Sequence, residues 1–259
     1  MTPSIHPTAI IDSTAQIGAG VSIGAYTLIG ADVTIGSGCH IASHVVIEGP
    51  TTIGCDNRIH PFASIGGAPQ DKKYAGEPTR LEIGDRNVIR ESVTINRGTL
   101  NGGGVTRVGS DNLLMAYIHI AHDCQVGNHT IFSNNASLAG HVTIGDWVIL
   151  SGFTLVHQFC AIGAHAFTGM GSAIAKDVPP YMMVAGNPAQ PHGINREGLK
   201  RRGFSSEALQ RLKEAYRLLY RSGLSLEAAR RELTILATER VELQPLVQFL
   251  ADSKRSILR

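Results

Sequence analysis

The residues best suited to chemistry crowd into one stretch, AYIHIAHDCQVGNH (116–129), where His119, His122 and His129 lie within eleven positions beside Asp123 and Cys124. A neutral imidazole takes a hydroxyl proton near neutral pH, and a carboxylate on its other nitrogen raises its basicity. His122 and Asp123 supply those two groups. The same residue types also suit a zinc site, or three histidines on a surface. Adjacency alone does not decide, because neighbouring strand residues need not face the same way.

The elements that must position these residues are legible as a repeat of six. Isoleucine stands at Ile5, Ile11, Ile17, Ile23, Ile29, Ile35, Ile41, Ile47, Ile53, Ile59 and Ile65, with glycine after many of them. The phase resumes at Ile83, Ile89 and Ile95. It resumes again, shifted by one residue, from Val108 through Ile120, Leu138 and Val156 to Ile162, with polar Thr168 interrupting before Ile174. Six fits neither a 3.6-residue helix nor a long two-residue alternation. It fits short strands joined by tight turns and wound into a solenoid, each coil burying its neighbour's apolar positions. Four residues after each aliphatic the side chain is mostly small and never charged, as in Val21, Thr27, Cys39, Ala136 and Cys160, which suits a narrow interior. Cys39, Cys124 and Cys160 share that slot and read as buried hydrophobes. Asn57, Asn87 and Asn112 share it too and suit hydrogen bonds to corner backbone. The glycine after the aliphatic suits a tight turn needing positive φ.

Two segments leave the pattern, GGAPQDKKYAGEPTR (66–80) and RGTLNGGGVTR (97–107). Both are expected to bulge outward as loops, where solenoids commonly place binding residues. The repeat ends at DVPPYMMVAGNPA (177–189). Beyond it, Leu209, Leu212, Tyr216 and Leu219 share one helical face behind a cap at Ser205 or Ser206. A second helix is expected from Ser225, with Leu226, Ala229, Leu233 and Leu236 inward, and a third after Pro245. The organisation is therefore a β-solenoid over 1–189 and a basic α-helical domain over 190–259.

Charge follows the same division. Residues 1–189 carry 9 Lys/Arg against 13 Asp/Glu, and residues 190–259 carry 14 against 8, so a net −4 is joined to a net +6. The basic tail suits an acidic partner or phosphates, but it lacks the interleaved aromatics of a nucleic-acid platform, so no nucleic acid is expected. No apolar run is long enough for a transmembrane segment. MTPSIHPTAI lacks a basic stretch followed by an apolar one, and four unclustered cysteines read as free thiols, so a cytoplasmic location is expected. In the hexad phase none of His119, His122, His141 and His157 falls in an inward slot, which disfavours core histidines. Exposed spectators, metal ligands and catalysis stay open.

The hexads resemble the hexapeptide-repeat family, which implies a left-handed parallel β-helix of triangular section with three hexads per coil. Ile120 would then lie beneath Leu138 and Val156, in a stack of roughly nine to ten coils about 4.8 Å apart. The resemblance is closer still to the UDP-N-acetylglucosamine O-acyltransferases. It runs from HPTAI to the C-terminus and rests on QDKKYAGEPTR, IGDRNVIRESVTI, GSDNLLM, HIAHDC, LAGHVTIGD, LVHQFC, IGAHAF, DVPPY and EGLKRRGFS. It implies cytoplasmic homotrimers with active sites between neighbouring solenoids. These move an (R)-3-hydroxyacyl group from acyl carrier protein to the sugar 3-hydroxyl of UDP-GlcNAc, in the first step of lipid A assembly, without cofactor or metal. By that pattern His122 is the general base, Asp123 holds its imidazole, and the Gly140 N–H stabilises the oxyanion. Gln70, Asp71 and Lys73 hold the sugar, flanked by His119 and His141. His157 and Gln158 reach the diphosphate, Asn195 and Glu197 the nucleoside, and Arg201 and Arg202 phosphate and the acidic carrier protein. Met170 stands where the family has its acyl-chain ruler, so a short chain of about ten carbons is expected, since a pocket discriminates against methylenes it cannot hold.

Two departures bear on the acceptor. Asn96 stands where histidine is usual, and GNPAQPHG follows the generic acyltransferase ending; whether the acceptor carries a 3-hydroxyl or a 3-amino group stays open. The related N-acyltransferase would need an acceptor domain ahead of the hexads, which begin at Ile5. A coenzyme A-dependent acetyltransferase does not account for QDKKYAGEPTR or GLKRRGF. A zinc carbonic anhydrase of solenoid fold would hold three imidazoles around the ion between subunits, with His119, His122 and His141 as candidates. A purely structural solenoid needs no outward histidine–aspartate pair.

Overall fold

In the computed structural model, which describes residues 2–253 and 255–259, the hexads form three parallel sheets running the length of a solenoid. From Ser4 to Ile174 each strand has two to four residues and pairs with the strand three places on, so every full coil crosses all three sheets once. The basic register is 18 residues: Ile120 sits against Leu138, and Leu138 against Val156, as three hexads per coil imply. The aliphatics stack into columns inside, with Ile47, Ile65, Ile95 and Ile120 fully buried. Such burial is what parallel sheets require. The end coil lacks a neighbour on one side, and Ile5 is accordingly 44% exposed.

Several polar residues inside are bonded to the frame. Thr168, the break in the aliphatic series, is buried with its hydroxyl 2.7 Å from Thr154 Oγ1 and 3.1 Å from Ser151 N. The asparagines form a ladder. Asn57 Oδ1 accepts from Asn87 N at 2.9 Å, Asn87 Oδ1 from Asn112 N at 3.0 Å, and Asn112 Oδ1 from Thr130 N at 2.7 Å. This ladder crosses the coils that carry the insertions, where Ile59 pairs with Ile89 and Ile89 with Leu114. It pins the columns where the hexads are interrupted. In Asn87→Ala the buried Asn112 N–H loses its acceptor, and Asn57 Oδ1 and Gly109 O each lose the Asn87 Nδ2 donor. The fold should be destabilised by about 3 kcal/mol. A lowered urea midpoint followed by circular dichroism would show it, and an unchanged midpoint would deny the ladder that role.

The corners depart from expectation in one respect. Positive φ falls three residues after the aliphatic, at Asp123 (62°), His141 (62°) and Phe159 (64°), and, apart from Gly66 (79°) where the first insertion leaves the coil, not at the glycine that follows it. Those glycines are required by close approach between coils. A Cβ on Gly145 would lie 2.6 Å from Ala164 N and 2.9 Å from Ala164 Cα.

Both insertions leave the solenoid along the same edge. One runs between the strands Ser64–Gly67 and Arg80–Ile83, the other between Thr94–Asn96 and Val105–Val108. Successive coils place His122, then Gly140 and His141, then His157, Gln158 and Phe159 along that edge. An antiparallel hairpin, Met182–Ala185 with Gln190–Ile194, closes the last sheet, a feature that the repeat does not announce. Among the described residues four α-helices follow: α1 (Arg196–Arg201), which is additional to the three expected, α2 (Ser206–Arg221), α3 (Leu226–Ala237) and α4 (Gln244–Asp252). Ser205 caps α2 through Ala208 N and Ser225 caps α3 through Ala228 N. Leu212, Tyr216 and Leu219 are buried as their spacing predicts. Among the described residues no helix is long and apolar enough to cross a membrane.

Candidate active site

The histidine–aspartate pair sits at the insertion-bearing edge. His122 Nδ1 lies 2.7 Å from Asp123 Oδ2, so the pair adjacent in sequence is also in contact. The carboxylate accepts, so Nδ1 carries the proton and Nε2 is left with its lone pair. Asp123 is 4% exposed and is held further by Thr99, whose N–H donates to Oδ1 at 2.7 Å and whose hydroxyl donates to Oδ2 at 2.6 Å. The Asp123 N–H donates to Thr106 Oγ1 at 2.8 Å, which fixes the left-handed corner. Thr99 and Thr106 both belong to the insertion 97–107. That segment therefore folds back over the carboxylate as well as projecting from the coil.

Gly140 packs directly on the imidazole. A Cβ there would be 2.6 Å from His122 Cε1 and 2.8 Å from Nε2, so only glycine leaves the ring in place. The Gly140 N–H donates to no backbone acceptor among the described residues. His141 meets His122 edge-on at 5.1 Å and stacks on Phe159 at 4.4 Å. Its Nε2 is 3.7 Å from Asp123 Oδ2. Burial lowers the His141 imidazole from its ordinary value; Asp123 opposes this, His122 adds to it, and Asp71 opposes it. The Asp71 influence ties the 66–80 loop to this edge. His119 lies on the adjoining sheet face with Nδ1 2.8 Å from Thr94 Oγ1, and burial likewise holds it low, followed by His122.

The other members of the 116–129 stretch stand outside the site. His129 stacks on Trp147 at 4.1 Å along a different edge. Cys124 points inward, donates to Ala139 O at 3.2 Å, and is pushed by burial up to about 12, far from a useful nucleophile. Within one chain the three imidazoles weighed for a zinc centre between subunits do not come together. Among the described residues the groups close enough to share an ion are His122, Asp123 and His141, without His119. Both Asp123 oxygens already accept from Thr99, so the carboxylate is committed to hydrogen bonds.

Gln70 and Lys73 are exposed in the 66–80 loop, where the Lys73 N–H donates to Asp71 Oδ1 at 3.0 Å. Arg97 fastens this loop to the second insertion, donating to Gly66 O at 2.7 Å and to the Tyr74 hydroxyl at 3.2 Å. His157 and Gln158 lie further along the same edge; Arg255 donates to Gln158 O, and its Nη1 is 3.4 Å from His157 Nδ1. Asn96 donates to Ala68 O at 3.0 Å, while its buried Oδ1 has no partner among the described residues.

Other expected site residues lie apart from His122 within one chain. Met170 is 78% exposed on the edge that also carries Tyr117 and Phe153. Glu197 and Arg201 are exposed on α1. Asn195 is engaged within the chain, capping α1 through Gly198 N and donating to His165 O at 2.9 Å. Arg202 lies over the Trp147 ring at 5.3 Å and donates to Trp147 O, so it is half-buried rather than presented to a partner. Thr99, Thr106 and Phe159 complete the site and escape a reading of the sequence. For the threonines the signal is weak, because an insertion has no phase from which to read direction.

A parallel β-solenoid carrying an outward histidine–aspartate contact packed against a glycine fits the acyl-transfer class of hexapeptide proteins. The comparisons agree with that class. Residues 3–49 match the bacterial transferase hexapeptide family (six repeats), and residues 177–258 match domain 2 of UDP N-acetylglucosamine O-acyltransferase. Acyl-[acyl-carrier-protein]–UDP-N-acetylglucosamine O-acyltransferase of Thiobacillus denitrificans is 57% identical over 99% of both chains. That of Janthinobacterium sp. is 58% identical over 98% of this chain and 99% of its own. Among solved structures, the UDP-N-acetylglucosamine O-acyltransferase of Moraxella catarrhalis has a TM-score of 0.97 at 49% identity, covering 98% of this chain and 99% of its own. The Francisella novicida enzyme also has a TM-score of 0.97, at 44% identity, covering 98% and 94%. The chain belongs to the acyl-[acyl-carrier-protein]–UDP-N-acetylglucosamine O-acyltransferase family, and its fold is the left-handed parallel β-helix with a helical C-terminal domain.

Proposed function

We propose that this chain transfers an (R)-3-hydroxyacyl group from the thioester of acyl carrier protein to the 3-hydroxyl of UDP-GlcNAc, the first step of lipid A assembly, without metal or cofactor. The observation that carries this reading is the 2.7 Å His122–Asp123 contact with Gly140 packed against the same ring. His122 Nε2 takes the proton as the sugar oxygen attacks the thioester carbonyl. The Gly140 N–H donates to the oxyanion that forms. Collapse breaks the carbon–sulfur bond, and the imidazolium returns its proton to the departing thiolate. A thioester is already activated, so position, a base and an oxyanion donor suffice. Burial holding His119 and His141 low favours their neutral forms beside the base, which limits repulsion of its cationic state.

In this reading Gln70, Asp71 and Lys73 hold the sugar between His119 and His141, and His157 and Gln158 meet the diphosphate. Glu197 and Arg201 serve the nucleotide and the acidic carrier. Asn195 sets them in place by capping α1, and Arg202, pinned over Trp147, adds positive potential. Met170 and these cap residues lie away from His122 in one chain, so a shared groove calls for a neighbouring protomer, in a cytoplasmic homotrimer. Tyr117, Phe153 and Leu155, each more than half exposed in the single chain, support burial against such a neighbour.

Competition among 3-hydroxyacyl carrier proteins of about 10, 12 and 14 carbons tests the ruler, since each methylene that fails to fit costs roughly 10-fold or more. The short donor should win, and Met170→Gly should move preference to the longer ones. Unchanged preference in Met170→Gly would remove Met170 from that role and leave the reaction assignment standing.

A further inference from the structure

We infer that Thr99 is a positioning residue for the base, holding Asp123 on His122 and away from His141. The inference rests on His122 being the base of the proposed reaction. Asp123 Oδ2 faces two imidazoles: His122 Nδ1 at 2.7 Å and His141 Nε2 at 3.7 Å. A turn of the carboxylate about its own bond would exchange them. Buried, it draws its donors from the protein, and Thr99 supplies two, the N–H on Oδ1 and the hydroxyl on Oδ2. These two bonds fix both oxygens at once, and with them the choice of imidazole.

The insertion is built to deliver Thr99. Gly104 N donates to Thr99 O at 2.8 Å, and Gly103 and Gly104 take φ of 93° and 79°, which close the loop in a conformation that favours glycine. Gly102 lies so close to the carboxylate that a Cβ there would overlap it. The three consecutive glycines of the insertion thus have a physical purpose beyond flexibility: they let the backbone turn tightly against a buried charge. Arg97 anchors the start of the loop on Gly66 O and Tyr74.

Removing the hydroxyl frees Oδ2 to turn between the two rings, so the His122 Nδ1–H bond is weakened and shared with His141. The charged and titratable groups around the His122 ring are Asp123, His141 and His119, with Asp71 acting on His141. All of these remain in Thr99→Val, which is close to isosteric and keeps the N–H bond to Oδ1.

The experiment compares full-length wild type, Thr99→Val and Thr99→Ser. Thr99→Val should lower kcat about 10- to 100-fold, the value of one hydrogen bond to a charged group, with KM for UDP-GlcNAc within about twofold. The low-field proton resonance of His122 Nδ1–H should move upfield or broaden, and this readout is independent of whether the assigned reaction is correct. Thr99→Ser should restore both. A Thr99→Val protein with wild-type resonance and kcat would overturn the inference. So would equal impairment in Thr99→Ser, which would point to packing by the methyl group.

Discussion

Replacing His122 by alanine is expected to lower kcat by about 10²- to 10⁴-fold, the range that loss of a positioned general base produces, with little change in thermal stability. The imidazole sits at the edge of the solenoid with its side chain 14% exposed, outside the aliphatic columns, so its removal opens no core cavity. Asp123 keeps both Thr99 donors in the variant and is not left bare. The measurement is steady-state acyl transfer beside a melting curve. A folded His122→Ala protein with unchanged turnover would end the base assignment, and it would leave the solenoid without a reason for its outward histidine–aspartate pair.

Gly140→Ala should be comparably damaging, by about 10²- to 10³-fold, because it displaces the base instead of removing it. The added Cβ would be 2.6 Å from His122 Cε1, 2.8 Å from Nε2 and 3.2 Å from Nδ1, so the ring must move. Gly140 does not occupy the left-handed backbone region, so strain is not the cause of the loss. A double variant tests this. In a His122→Ala background the clash is gone and alanine keeps its N–H, so Gly140→Ala should cost little more. Full multiplication of the two single losses would contradict the direct contact between ring and glycine.

Much of the fold is legible because the hexad phase fixes which residues point inward, and the resemblance to three-hexad coils implies which share an edge. Buried Cys124 and the bonded asparagines follow from that period, and Ile120 beneath Leu138 follows from the three hexads per coil that the family resemblance implies. The corner glycines are legible as conspicuous but not for their cause. Their role is to let coils approach, a constraint between residues 18 apart that a turn rule does not contain. The His122–Asp123 contact is chemically suggested but geometrically open in the sequence, since it depends on a corner turning Asp123 to a φ of 62°. Thr99 is beyond reach, because its partner lies 24 residues on and the path between them is an insertion without phase. The terminal hairpin is hidden for a related reason. Its pairing, Met182 with Ile194 and Ala185 with Gln190, begins where the repeat stops.

The most direct test of the central claim is incubation of the purified, metal-free protein with UDP-GlcNAc and an (R)-3-hydroxyacyl carrier protein, followed by mass spectrometry of the nucleotide sugar. The account predicts a UDP-GlcNAc product heavier by one hydroxyacyl group, released by hydroxylamine as an oxygen ester should be, together with one free carrier thiol per product. Absence of that product from folded protein, with donors of every length, would contradict it.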